Sequence, residues 1–164
     1  MTTIKDVIKK PKGCVEFIAK DDAGKETLLR ESNLCLDNLY EHIIDCLREG
    51  TSITNYIDKI SLGTGGHSAG DDTIPIPPSH DDTSLETEID PPGKKSLTGI
   101  TSATAYEVEF NTVFLKTECN TRITEAGLWL DDGTTLVNRT TFPAFEKTNS
   151  LLLVVRWHIY FTIV

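Results

Sequence analysis

Two histidines stand in the most acidic part of the chain, where a metal site is the first chemistry to consider. His67 and His80 are flanked by four aspartates, Asp71, Asp72, Asp81 and Asp82. Carboxylates combined with imidazole suit zinc or manganese. However, the same stretch is rich in proline, and no His-x-x-x-His spacing on a helix supports a rigid ligand set. A solvated acidic loop is the favoured interpretation, and we predict no metal and no other cofactor.

Paired carboxylates offer a second chemistry. Glu107 and Glu109 alternate with apolar residues, so they lie on one face of a predicted strand, ~7 Å apart. That separation is compatible with the acid pair of a glycosidase. Alternating acids on an exposed strand face are far commoner, however, and His158 on the last strand is typical of a hydrogen-bonded, half-buried side chain. Because the sequence also has no Gly-x-Ser-x-Gly elbow, it predicts a protein that is not an enzyme.

Neither the glycine nor the cysteine spacing forms a convincing ligand site. Gly63-Thr-Gly-Gly66 suggests a phosphate loop, but a P-loop needs Gly-Lys-Ser/Thr opening a helix, and here a proline-rich acidic stretch follows. A structural turn is predicted instead. The four cysteines form no CxxC pair, so free, partly buried thiols are expected, although a disulfide stays open. They are Cys14, Cys35, Cys46 and Cys119.

The negative charge is concentrated in one segment. The chain of 164 residues has a net charge of −9, and residues 71–90 contain seven acids and no Lys or Arg, which accounts for −7 of it. No basic stripe is present to neutralise phosphates, so direct nucleic-acid binding is disfavoured. Lys9, Lys10 and Lys12 form only a small basic cluster.

Apolar periodicity predicts the elements that position these residues. A hairpin is expected over residues 14–30, with its turn at Asp21–Gly24, followed by a strand over residues 56–62. Leu36, Leu39, Tyr40, Ile43, Ile44 and Leu47 recur at three- and four-residue intervals. This pattern predicts one amphipathic helix over residues 36–48, capped by Asn33 or Asp37.

The C-terminal third has the clearest strand patterns. Asp131-Asp132-Gly133 predicts a turn between two strands, and residues 151–163 alternate with one wholly apolar face. We expect that last strand to be central. The sum is a mainly β protein, a β-sandwich of about six to eight strands with one helix.

Composition and proline content define the domain organisation. We predict an N-terminal arm over residues 1–12 and a single β-sandwich domain over 13–164, with a Pro/Asp-rich surface loop at 67–99 that holds five of the seven prolines. No stretch approaches the ~18 apolar residues of a membrane span, and MTTIKDVIKKPKG lacks the apolar core of a signal peptide. Cytoplasmic synthesis without a membrane partner is therefore expected.

The blocks ITEAGLW and GTTLVNRTTFPAFEKTNSLLLVVRWHIYF resemble the C-terminal part of a family of small tailed-bacteriophage structural proteins. Residues that match the pattern are Ile123, Thr124, Glu125, Gly127, Leu128, Arg139, Phe142, Lys147 and Thr148. Upstream, ESNLCLDNLYEHIIDCL, YIDKISLGTGG and DDTSLETEI resemble the family's early helix, its Gly-Thr-Gly strand end and its acidic loop. The order of the blocks, over about residues 13–163, is the stronger signal.

The resemblance implies a virion component that acts through contacts with other virion proteins and with copies of itself, assembled in the bacterial host cytoplasm. A tail, baseplate or neck position is favoured, with a capsid decoration protein as the alternative. The expected contact surfaces are the acidic segment and the arm. The candidate interface residues are Lys9, Lys10, Lys12, Asp71, Asp72, Asp81, Asp82, Glu86, Glu88 and Asp90. A carbohydrate-binding sandwich using Trp129 or Tyr106 is the alternative of another class.

Overall fold

The computed structural model describes residues 11–49 and 55–161, which contain eleven strands and one helix. The strands are β1 (Lys12–Lys20), β2 (Glu26–Cys35), β3 (Ile57–Gly63), β4 (His67–Ser68), β5 (Asp71–Pro75), β6 (Lys95–Ser96), β7 (Gly99–Thr104), β8 (Glu107–Phe114), β9 (Arg122–Leu130), β10 (Leu136–Glu146) and β11 (Leu152–Tyr160). Helix α1 (Asp37–Glu49) lies between β2 and β3. The mainly β class is confirmed.

Nine strands form one antiparallel sheet that curls on itself. Its order is β6-β3-β9-β10-β2-β1-β11-β8-β7, yet its end strands β6 and β7 are separated in the chain only by Leu97 and Thr98. The Leu97 N–H donates to the Asp58 carbonyl on β3, and the Thr98 N–H donates to the Asn111 carbonyl on β8, each at 2.7 Å. The two ends of the sheet therefore meet through this segment, and the result is sandwich-like.

The main core lies between the two layers of this curled sheet. Strands β7, β8, β11, β1 and β2 make the first layer, and β6, β3, β9 and β10 make the second. The last two residues of β2, Leu34 and Cys35, pair with β10 and join the layers at a corner. Side chains buried between the layers include Val15, Phe17, Ile60, Leu62, Phe114, Leu128, Leu130, Phe142, Leu153, Val155 and Trp157.

The last strand is central, as its alternation predicted. β11 pairs with β1 on one side and with β8 on the other. Leu153, Val155, Trp157 and Ile159 are buried, and Ile163 lies outside the described residues. Burying a large apolar side chain contributes ~1.5–3 kcal/mol, so this strand supplies much of the core.

The helix is confirmed, but only half of its apolar stripe is covered. Leu39 is buried together with Leu36 just before the first turn, whereas Ile44 and Leu47 are 59% and 76% exposed. Of the two expected caps, Asn33 is wrong because it belongs to β2, whereas Asp37 is the first residue of α1. The stripe predicted burial along the whole helix, but Ile44 and Leu47 in its second half are exposed.

The segment predicted as a surface loop, residues 67–99, is folded onto the protein. It contains β4, β5 and β6 and the start of β7, which raises the strand count above the predicted six to eight. Leu85 within it is buried in a second apolar cluster with Leu36, Trp129 and Leu136. The expectation of a solvated surface loop is wrong for this part of the segment, because the outer face of β9 carries Trp129 and the buried Glu125, and the segment covers both.

Candidate functional site

The outer face of the second layer is built around one buried ion pair. Glu125 on β9 is fully buried, and Arg139 on the neighbouring β10 is 9% exposed. Arg139 donates to the Glu125 Oε2 atom from Nη2 at 2.7 Å and from Nε at 3.2 Å. Its Nη1 atom donates to Asp82 Oδ2 at 2.6 Å. Charge-assisted bonds of this kind are the strongest hydrogen bonds in proteins. We call Glu125, Arg139 and Asp82 the loop anchor.

The loop anchor ties the acidic segment to the sheet through the backbone. The Gly65 and Thr87 N–H groups donate to Glu125 Oε1 at 3.1 and 2.8 Å, and the Glu86 N–H donates to Oε2 at 3.2 Å. Burial alone lowers the pKa of Arg139, but the hydrogen bonds and charges of Asp82 and Glu125 outweigh it and raise that pKa above its ordinary value. Both charges are therefore compensated within the protein.

The glycine run is shaped by this anchor. A Cβ atom on Gly65 would lie 2.6 Å from the Glu86 Cβ and 2.8 Å from Glu125 Oε1. Gly66 has a φ of +72°, where side chains are disfavoured, and its N–H donates to Glu86 Oε2 at 2.6 Å. The run is a structural turn, as predicted, and its donors point to carboxylates of the same chain.

Six of the seven predicted interface acids in this segment have protein partners, and two of these, Asp71 and Asp81, accept hydrogen bonds from the neighbouring Thr73 and Ser79. Asp72 pairs with Arg122 at 2.6 Å, Asp82 with Arg139, Glu88 with Lys94 at 2.6 Å, and Glu86 with the Gly66 N–H. Much of the charge seen in the sequence is therefore compensated internally. The acids Asp71, Asp81, Glu86 and Asp90 are exposed.

The acidic segment contains exposed apolar residues as well as exposed acids. Ile74 and Ile76 are about half exposed, at 52% and 50%. The Thr73 hydroxyl and N–H lower the pKa of Asp71, and the Ser79 hydroxyl lowers the pKa of Asp81, so both stay charged at neutral pH. We call Asp71, Ile74, Ile76, Asp81 and Asp90 the loop face; it is mixed acidic and apolar.

The basic candidates lie at the start of the chain. Lys9 and Lys10 fall outside the described residues, and Lys12 is the first residue of β1, opposite Tyr160. Pro11, Lys12 and His80 line one open cleft of about 470 Å³. The start of β1 and the acidic segment are therefore neighbours within one molecule.

The two histidines of the metal hypothesis have separate surroundings. The ring nitrogens of His67 face the Ser68 and Thr64 carbonyl oxygens at 2.9 and 3.0 Å. The exposed His80 places Nδ1 3.9 Å from Asp37. Within residues 11–49 and 55–161, no group of three His, Cys, Asp or Glu side chains could hold a metal ion. The four cysteines are free thiols.

The paired carboxylates of β8 converge on His158, which is buried on the outer face of the first layer. Glu107 Oε1 lies 3.0 Å from His158 Nδ1, and Glu109 Oε2 lies 3.7 Å from Nε2. Glu16 on β1 brings a third carboxylate oxygen to 3.9 Å from Nε2. Glu16 could not be predicted from the sequence, because its place beside His158 depends on the pairing of the first strand with the last.

One of the two aromatic candidates for carbohydrate binding is buried. Trp129 is 3% exposed; its indole N–H donates to Ser61 Oγ at 2.8 Å, and the Lys94 ammonium lies 4.1 Å from its ring. The expectation of an exposed Trp129 is wrong because the acidic segment covers it. Tyr106 is 55% exposed and lines an open cleft of about 760 Å³ with Tyr160 and Arg30.

The residues that match the family pattern include buried polar side chains as well as apolar core side chains. The Thr124 hydroxyl donates to the Gly65 carbonyl at 2.7 Å, and the Lys147 ammonium donates to the Leu115 carbonyl at 2.8 Å. Phe142 packs on Phe17, with ring centroids 4.8 Å apart. In the sequence, the feature that could have indicated the loop anchor is the charged Glu125 within a largely apolar strand pattern.

Comparison of the chain with protein-family models, with curated proteins and with solved structures finds no match. In the part of the chain that the structure describes, the single helix is too short and too polar to cross a membrane.

Proposed function

We propose that this chain is a non-enzymatic structural protein of a tailed-bacteriophage virion, working through protein–protein contacts in the tail, baseplate or neck. The observation that supports it is the arrangement of the resembling residues. Thr124, Glu125 and Arg139 fasten the acidic segment to the sheet instead of forming a reactive centre. The motif thus specifies a framework that holds an exposed surface in place.

The loop face is the favoured contact surface of that framework. Exposed isoleucines supply apolar area, and the neighbouring aspartates supply charge that steers a basic partner into register. The partner is another virion protein or a second copy of this chain, whose Lys9 and Lys10 carry matching charge. Repeated copies are expected because virion parts have closed symmetry.

Quantitative mass spectrometry of purified phage particles that carry this gene tests the proposal. We expect the chain in the particles at about six or twelve copies, the counts of rings on the tail axis. Hundreds of copies would favour the capsid decoration protein. Absence from purified particles would contradict both.

The cleft beside Tyr106 supports a carbohydrate-binding module as a second candidate. Two tyrosines and Arg30 around one open groove provide stacking faces and hydrogen-bond donors, the groups that bind sugars. A glycan array followed by an NMR titration with the wild type and with Tyr106→Ala decides this. Binding that is lost in the variant supports the module, and no binding at ~1 mM glycan contradicts it.

A further inference from the structure

The outer face of the first layer carries a row of apolar side chains that belong to neither core cluster. Ile18 follows Phe17, whose side chain lies in the core between the layers. Because successive side chains of a strand point to opposite faces, Ile18 points outward. Strand pairing extends this position into a line across β2, β1, β11 and β8. Its members, each directly opposite the next, are Leu28, Ile18, Val154 and Val113, and we call them the apolar row.

The apolar row is open to one side. Leu28 is 60% exposed, and Val154 and Val113 are half-buried. Within residues 11–49 and 55–161, the elements with extensive contacts to β1, β11 and β8 are their neighbours in the sheet, and α1 packs on β10 instead. Exposed apolar surface of this kind commonly marks a contact with another protein.

Charged side chains flank the apolar row, and cations are in the majority among them. On one side Arg30, Glu16 and Arg156 lie opposite one another in the register. The Arg30 side chain is 63% exposed and lies 3.4 Å from Glu16, whereas the exposed Arg156 has no salt bridge within the described residues. On the other side Lys20 pairs with Glu26 at 2.6 Å. The surface that borders the apolar row is therefore net positive, although the chain has a net charge of −9.

The loop face has the complementary composition. Ile74 and Ile76 supply apolar area, and Asp71 and Asp81 accept hydrogen bonds from neighbouring hydroxyls but have no salt bridge within the part of the chain that is described. The extended stretch from Asp71 to Ile76 spans about 17 Å, and the apolar row spans about 14 Å across its four strands. The two isoleucines can thus lie along the apolar row while the aspartates face arginines.

We propose that the loop face of one copy of this chain docks on the apolar row of a second copy, with Asp71 and Asp81 facing Arg30 and Arg156. This inference rests on the proposed structural function and names the surface that the loop face contacts. The two surfaces belong to the outer faces of different layers, so the contact is head-to-tail. Repetition of a head-to-tail contact gives a ring where the rotation closes and a filament where it does not.

Sedimentation velocity of two complementary variants of the full chain tests this contact. The loop-face variant combines Ile74→Asp with Ile76→Asp, and the row variant combines Leu28→Asp with Arg156→Glu, all at exposed positions. At about 1 mM we expect the wild type to assemble beyond a dimer and each variant alone to be monomeric. An equimolar mixture should form a dimer and nothing larger, because one intact surface of each kind remains.

Charge reversal provides a second measurement with smaller changes. Asp71→Arg and Arg156→Glu should each weaken association at least about tenfold, since each brings like charges together. The two changes combined in one chain should restore association, because every head-to-tail contact then has its charges exchanged. Circular dichroism establishes that each variant is folded.

Leu47→Asp is the matched control, because it changes a 76% exposed side chain of α1 that belongs to neither surface. It should assemble as the wild type does. A wild type that is monomeric at about 1 mM, a loop-face variant that still self-associates, or a mixture of the two variants that stays monomeric would overturn the inference. If the chain is nevertheless found in phage particles, the proposed function stands and the loop face contacts a different virion protein.

Discussion

The two outer faces of the sheet differ in how completely their buried polar groups are hydrogen-bonded. On the second layer, Glu125 accepts from Arg139 and from three backbone N–H groups, and a folded segment covers the whole arrangement. On the first layer, His158 is surrounded by acceptors and keeps one ring nitrogen unsatisfied. A fully hydrogen-bonded buried network makes the structure rigid, whereas an unsatisfied buried group costs stability.

Removing the cation of the saturated network should have the largest effect. Arg139→Met leaves Glu125 buried without its partner, so we expect the free energy of unfolding to fall by about 3–5 kcal/mol in urea denaturation. Arg122→Met is the control, because that arginine pairs with Asp72 at an exposed site and should cost about 0–1 kcal/mol. Equal losses in the two variants would mean that the loop anchor is not structural.

Loss of an apolar contact between the acidic segment and the second layer should have the next largest effect on stability. Leu85→Ala opens a cavity among Leu36, Trp129 and Leu136, and we expect a loss of about 2–3 kcal/mol, measured by the same denaturation. Leu28→Ala, on the open first layer, removes a side chain that is 60% exposed and should change stability by no more than about 0.5 kcal/mol. A loss at Leu28 as large as that at Leu85 would remove the distinction between the covered and the open face.

These contrasts also show what could be predicted from the sequence. The first hairpin, the helix and the last strand follow from local periodicity, as Val155 and Trp157 illustrate. The packing of the acidic segment on the second layer could not be predicted, because proline and aspartate are typical of solvated loops. The residues that bind this segment, Glu125 and Arg139, lie some 40 to 60 positions further along the chain. Glu16 meets His158 only through strand pairing across 142 positions.

A methyl group in the glycine run should have an intermediate effect. Gly65→Ala places a Cβ atom 2.6 Å from the Glu86 Cβ, so the segment must move away from Glu125, at a cost of about 1–3 kcal/mol. Gly99→Ala is the matched control, since its added Cβ would meet nothing within 4 Å. A thermal melt in which both variants match the wild type would contradict the close approach at Gly65.

The smallest expected effect is a pH dependence from His67. The hydrogen bond to the Ser68 carbonyl, together with the one to Thr64, raises the pKa of His67 above its ordinary 6.5. Because the folded pKa is raised, the stabilisation is present below pH 6.5 and is lost as pH rises through the folded value. Unfolding free energies from about pH 5.5 to about pH 8.5 should show this decline in the wild type and not in His67→Gln. Parallel profiles would contradict it.

The proposed contact function requires that the loop anchor hold the acidic segment in a fixed position on the sheet. Amide hydrogen exchange at Gly65, Glu86 and Thr87 tests this most directly, because these N–H groups donate to Glu125. We predict exchange only through global unfolding, as slow as at Trp157 in the core, and much faster exchange in Arg139→Met. Exchange in the wild type as fast as at the exposed turn residue Ala23 would contradict the account.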